Sequence, residues 1–156
     1  FDTNVEEKII SCDVDKIERI VLNLLSNAVK FTNKGGNIFV NIECKDNKVL
    51  ISVKDTGIGI PKEKQTIIFE RFIQVDKSLS RNQEGSGIGL SLVKSFVEMH
   101  GGKINITSEL NKGTEFIVEI PNKALPEDIV ENEELFYNKD SKIEKINIEF
   151  SDIYFK

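Results

Sequence analysis

The apolar positions of the chain change period four times, and each change marks an element. Val14, Ile17, Val21, Leu24, Leu25 and Ala28 recur at three- and four-residue spacing, which predicts a helix from Val14 to about Phe31 with one apolar face. Asp13 is its N-cap, and Asp15 lies in the first turn, where the helix dipole favours negative charge. NKGG at 33–36 ends it, and the period drops to two. Ile38, Val40 and Ile42 alternate with polar residues, as do Val49, Ile51 and Val53, and the KDN between them is a hairpin turn. KEKQTIIFERF predicts a short helix or two with aromatic anchors. Residues 73–87 have almost no apolar periodicity, which predicts a long mobile loop of the kind that is usually functional. Leu90, Val93, Phe96 and Val97 restore the helical period, and KINITSELNKGTEFIVEI forms a second hairpin that Pro121 stops.

Helix, two strands, loop, helix, two strands is the order of an α+β fold: a two-layer α/β sandwich with a mixed, mostly antiparallel sheet and helices on one face. Residues 1–121 hold all of these elements. Residues 122–156 carry nine acids and five bases, and so most of the chain's net charge of −5. They form an acidic C-terminal extension in which KINIEFSDIYF alternates, with an edge strand expected near 143–150. At 156 residues, 39% hydrophobic and 30% charged, the chain is a soluble globular one. A sequence pI near 5.1 argues against a nucleic-acid footprint, which would need clustered Lys and Arg. No apolar run spans a membrane, so direct membrane contact is not expected of this domain. The chain begins at Phe1 and reads as part of something longer, any membrane anchor lying upstream. Cys12 and Cys44 lack metal-type spacing and read as reduced, cytosolic thiols.

Three clusters carry candidate chemistry. Asn23, Asn27 and Lys30 fall within roughly a 60° arc of the first helix, by its 100° step. They form either a solvated face or a site in which an amide oxygen meets Mg²⁺ and a lysine meets phosphate. Two asparagines a turn apart are poor helix formers, which favours the second reading. DTGIGI at 55–60 follows a strand, and is either an ordinary glycine turn or a pocket for a planar ligand with Asp55 as acceptor for an exocyclic amine. EGSGIGL at 84–90 sets Gly85, Gly87 and Gly89 ahead of a helix, where backbone N–H groups favour phosphate. It is neither a dinucleotide fingerprint nor a P-loop, since no strand leads into it and no Gly-Lys-Ser/Thr follows.

Taken in order, NLLSNAVKFT, DTGIGIP, IFERFIQVDKS, GSGIGLSLVK and NKGTEF resemble the N, G1, F and G2 boxes and the final Gly-Thr of the histidine kinase catalytic and ATP-binding domain, over about residues 10–121. The resemblance implies ATP and Mg²⁺ as cofactors, with a long ATP lid over the site. It makes Asn27 the Mg²⁺ ligand and Lys30 a phosphate contact, with Asn23 as the other polar residue of the N box. Asp55 is then the acceptor for the adenine amine, with Gly57 and Gly59 shaping the base pocket and Thr114 supporting it. Phe69 and Phe72 anchor the lid, and Gly85, Gly87 and Gly89 form its phosphate-side hinge. Phe31, Ile60, Ser86 and Leu90 complete the implied pocket, Phe31 standing where the family often has Tyr. Arg81 either reaches the terminal phosphate or is a solvated lid charge.

Hydrolases of the same superfamily have a glutamate at the position of Asn23 as general base. Asparagine cannot take a proton at neutral pH, which favours phosphoryl transfer over hydrolysis. The implied partners are a dimerisation and phosphotransfer domain of the same parent, which holds the acceptor histidine, and a downstream response regulator. The chain should bind ATP without phosphorylating itself. A serine kinase of the anti-sigma-factor type and an inactive scaffolding module are the alternatives. The F box followed by a long lid looks more like histidine kinases, and the near-complete set of boxes speaks against the scaffold. His100, the chain's one histidine, precedes Gly101 and Gly102 at the end of the second helix. That position gives it a capping role, and the resemblance implies a place away from the phosphate pocket.

Overall fold

The computed structural model describes residues 2–4, 10–73 and 87–122. In chain order the elements are β1 (Asp2–Thr3), α1 (Val14–Phe31), β2 (Ile38–Lys45), β3 (Lys48–Asp55), a 3₁₀ turn (Lys62–Lys64), α2 (Gly89–Met99), β4 (Lys103–Glu109) and β5 (Gly113–Pro121). The five strands form one sheet in the order β1-β2-β3-β5-β4, with β1 parallel to β2 and the other pairs antiparallel. This is the expected mixed, mostly antiparallel sheet.

Period-two alternation sends Val49, Ile51 and Val53 of β3 to the helical side, directly opposite Ile120, Val118 and Phe116 of β5. Ile20 and Leu24 of α1 and Val93 and Val97 of α2 close the core over them, all four fully buried. The other sheet face is mostly polar: Ser52 donates to Glu115 (3.0 Å), and Lys48 pairs with Glu119 (3.0 Å), which also accepts from Asn105 (3.1 Å).

The first helix has the expected bounds. The Asp13 carboxylate accepts from the Lys16 N–H (3.1 Å) and is paired with the Lys16 ammonium. Its apolar face is the one read in the sequence at Ile17, Val21, Leu24, Leu25 and Ala28, all in the core or packed against it, and Ile20 joins them. Val14, in the first turn, is 52% exposed, while Ile20 and Leu22, which the spacing did not assign to that face, are buried. The 62–72 stretch is a single 3₁₀ turn followed by non-helical turns, with Phe69 packed edge-on against Phe116 at 6.3 Å between ring centres. Pro121 is the last residue of β5, opposite Lys48.

β1 was not anticipated. It is two exposed residues long, and Asn4 extends its pairing by exchanging side-chain hydrogen bonds with the Cys44 backbone (3.0 and 3.4 Å). Cys12 and Cys44 are free thiols. Most of the expected mobile loop (74–86) and almost all of the acidic extension (123–156), with its edge strand, lie outside the described residues.

Candidate functional site

The site lies where the C-terminal half of α1, the turn after β3 and the start of α2 meet. Asn23, Asn27 and Lys30 project from one side of α1, each half-buried. The Lys30 ammonium lies 5.4 Å from the centre of the Phe31 ring, and burial lowers its pKa from the usual lysine value. Asn23 donates to the Arg19 carbonyl (2.8 Å), whereas the Asn27 amide has no hydrogen-bond partner among the described residues.

The turn after β3 is clamped from both sides. The Ile58 N–H donates to the Phe31 carbonyl (3.2 Å), and the Asn111 N–H donates to the Ile58 carbonyl (2.7 Å). A side chain on Gly57 would strike the Phe31 carbonyl, and one on Gly59 the Glu109 carbonyl. Gly59 also has φ +68, a left-handed conformation open to glycine at little cost. These two glycines therefore let protein segments close on one another, which shapes the pocket indirectly.

Asp55 ends β3 and is 6% exposed, opposite the equally buried Thr114 of β5. One carboxyl oxygen accepts from the Gly57 N–H (2.8 Å). Desolvation raises the Asp55 pKa above the ordinary carboxylate value, opposed by the N–H groups of Gly57 and Thr114. A carboxylate has about four lone-pair directions, so acceptor capacity remains for a ligand donor.

Sequence reasoning missed Ser108 beneath this turn. Its hydroxyl accepts from the Ile60 N–H (2.8 Å), donates to the Gly113 carbonyl (3.0 Å), and so accepts from the Thr114 hydroxyl (2.9 Å). Gln65 adds hydrogen bonds to the carbonyls of Ile60 (2.8 Å) and Ser108 (2.9 Å). The available signal was a hydroxyl at the inward position of the series Ile104, Ile106, Ser108.

At the far side, the Phe72 N–H donates to the Gly87 carbonyl (2.9 Å). Phe72 has φ +65, unusual for a bulky side chain, and the residue is 73% exposed. Phe69, by contrast, is packed on the core. Gly89 begins α2 beside Asn23, and Leu90 packs against the core. Arg81, Gly85 and Ser86 lie outside the described residues. Among the described residues no cluster of three His, Cys, Asp or Glu groups is placed to hold a metal.

His100 is at the other end of α2. Its Nδ1–H donates to the Phe96 carbonyl (2.7 Å), and its Nε2 accepts from the Asp13 N–H (3.1 Å). Both ring nitrogens are engaged by backbone, in the role of a helix terminator that also ties α2 to α1.

Residues 12–124 match the family described as "Histidine kinase-, DNA gyrase B-, and HSP90-like ATPase". The circadian input-output histidine kinase CikA of Synechococcus elongatus is 41% identical over 121 residues, 78% of this chain and 16% of that protein. The sensor protein SrrB of Staphylococcus aureus is 36% identical over 116 residues, covering 74% of this chain and 20% of SrrB. The chain thus spans a fifth or less of these two relatives. Among solved structures, a nucleotide-free catalytic domain of histidine kinase ThkA superposes with a TM-score of 0.67 at 34% identity, over 78% of this chain and 76% of that one. Full-length ShkA, solved with AMPPNP, gives a TM-score of 0.67 at 32% identity, over 80% of this chain and 26% of that one. The superposition extends the match from the motifs to the way the sheet and two helices hold them, and the chain belongs to this ATPase family as a histidine kinase catalytic domain.

Proposed function

We propose that the domain binds Mg·ATP between α1 and α2 and presents the γ-phosphate to a histidine on a separate dimerisation and phosphotransfer domain of its parent. The observation that carries this reading is a convergence. The Asp55 turn is fixed to the C-terminal end of α1 through Phe31, and the start of α2 is seated on the same helix at Asn23. Between them lie the half-buried Asn27 and Lys30.

In this arrangement Asp55 accepts a hydrogen bond from the adenine amine. The turn that carries it is held by Phe31, Ser108 and Gln65, so little of the pocket has to be ordered on binding. Lys30 and the N–H groups at the start of α2 face the phosphates, and an N-terminal helix end is suited to negative charge. The residues fit Mg²⁺: Asn27 offers one neutral amide oxygen without a competing partner, and Mg²⁺ is commonly held by few protein oxygens together with phosphates and waters. Bound there, the ion would neutralise phosphate charge as the phosphoryl group leaves. The chain's own residues position and bind, and Asn23 offers no base for water. On this reading the domain works in the cytoplasm, and its phosphotransfer partner passes the phosphoryl group to a response regulator.

Calorimetric titration with Mg·ATP tests the proposal. Asp55→Asn retains the fold and loses affinity by roughly ten- to a hundredfold, the worth of a hydrogen bond to a charged group. Undiminished affinity in that variant would contradict the assignment.

A further inference from the structure

The carbonyl oxygen of the Asn23 side chain sits against Gly89, the first residue of α2. A Cβ built on Gly89 would lie 2.6 Å from Asn23 Oδ1, closer than a real carbon tolerates, and 3.6 Å from Asn23 Cγ, an ordinary contact. Swinging the amide away would break its Nδ2 hydrogen bond to the Arg19 carbonyl (2.8 Å), one turn earlier on α1. Gly89 is helical, with no left-handed φ among its reasons to be glycine. Glycine is a poorer helix former than alanine, so something other than backbone conformation accounts for it. The space taken by Asn23 supplies such a reason.

We infer that Asn23 is a positioning residue, a spacer on which the N-terminus of α2 is seated, and that it acts on the nucleotide through Gly89 rather than by touching nucleotide, metal or water. The helices run antiparallel, tied through His100 and Asp13 at one end and in contact at Asn23 and Gly89 at the other. With the first end tied, the size of residue 23 sets how closely the start of α2 approaches Asn27 and Lys30. The consequence for ATP rests on the proposed function above, but the contact itself does not.

A size-exchange experiment separates the two. Thermal unfolding without nucleotide and calorimetric titration with Mg·ATP are measured for the parent chain, Asn23→Ala, Gly89→Ala and the double variant. The expected Gly89→Ala result is a melting temperature lower by about 5 °C, against alanine's better helix propensity, and an affinity weaker by roughly tenfold or more. Adding Asn23→Ala returns at least half of the lost melting temperature and improves affinity over Gly89→Ala alone. If Gly89→Ala does not fold, recovery of a cooperative transition in the double variant is the same result.

A Gly89→Ala variant as stable as the parent, or a double variant no better than the sum of the single losses, would overturn the contact. Recovered stability with affinity no better than that of Gly89→Ala would overturn the spacer role, because Asn23 would then itself touch the ligand. If the parent binds no ATP, the functional proposal fails while the melting temperatures still decide the contact.

Discussion

The two ends of the α1–α2 pair are built from similar parts and left in opposite states. At the Asp13 end, one ring bridges the helices with both nitrogens engaged, Nδ1–H on the Phe96 carbonyl and Nε2 on the Asp13 N–H. At the Asn23 end, one amide holds the helices apart, and the next polar residue on that face, Asn27, has no hydrogen-bond partner among the described residues. A saturated polar joint is satisfied by the fold alone. Polar groups left open between two fixed elements are where a ligand has something to complete. By this measure the chain's one histidine is structural, and an asparagine is the better functional candidate.

The largest effect should come from Asn27. Asn27→Ala is expected to weaken Mg²⁺-dependent ATP binding by roughly ten- to a hundredfold with little change in urea stability, since the amide bonds nothing in the described fold. A loss of stability comparable to the loss of binding would mean that this end is structural too. The opposite division is expected of His100. His100→Ala removes the ring that bonds the exposed Asp13 N–H and the Phe96 carbonyl and should cost about 1 kcal/mol in urea unfolding. Its ATP affinity, and that of His100→Gln, should stay within about twofold. Lost binding in a folded His100→Gln would erase the contrast between the ends.

Much of the comparison was legible before the structure. Asp13 marked the start of α1 because a capping carboxylate is a local signal, and both hairpins were readable because alternation and a turn such as KDN act over a few residues. The N-box arc on α1 followed from helix geometry alone. Its contact with Gly89 did not, because residues 66 apart in sequence meet only through tertiary packing. The exposure of Val14 and the burial of Ile20 had the same origin, since tertiary packing decides which positions of an apolar face are covered. β1 is too short to alternate, and its extension through Asn4 uses a side chain in place of backbone. Ser108 was visible as a polar break in an apolar series, without an indication of what it would bond. The glycines of the Asp55 turn were read as making room for a ligand. They first make room for the carbonyls of Phe31 and Glu109.

A smaller effect separates the two carboxylates by sign. Burial raises the Asp55 pKa, so above the ordinary carboxylate value the folded state holds its proton more tightly than the unfolded chain. Its contribution to stability falls as pH rises through that window and is restored at lower pH. Asp13 is lowered, chiefly by the hydrogen bond from the Lys16 side chain. Its contribution is present above the ordinary value and is lost as pH falls through the lowered one. Urea midpoints measured from about pH 3 to 7 should therefore change in opposite directions relative to the parent for Asp55→Asn and Asp13→Asn. Parallel changes would mean that the two environments do not differ as described.

The most direct test of the contrast is an amide proton–nitrogen NMR titration of the chain with Mg²⁺ and a non-hydrolysable ATP analogue. The account predicts the largest shifts at Asn27, Lys30, Asp55, Gly57 and Gly89, with Asp13, Phe96 and His100 nearly still. Largest shifts at the His100 end, or none at the Asn27 end, would contradict it.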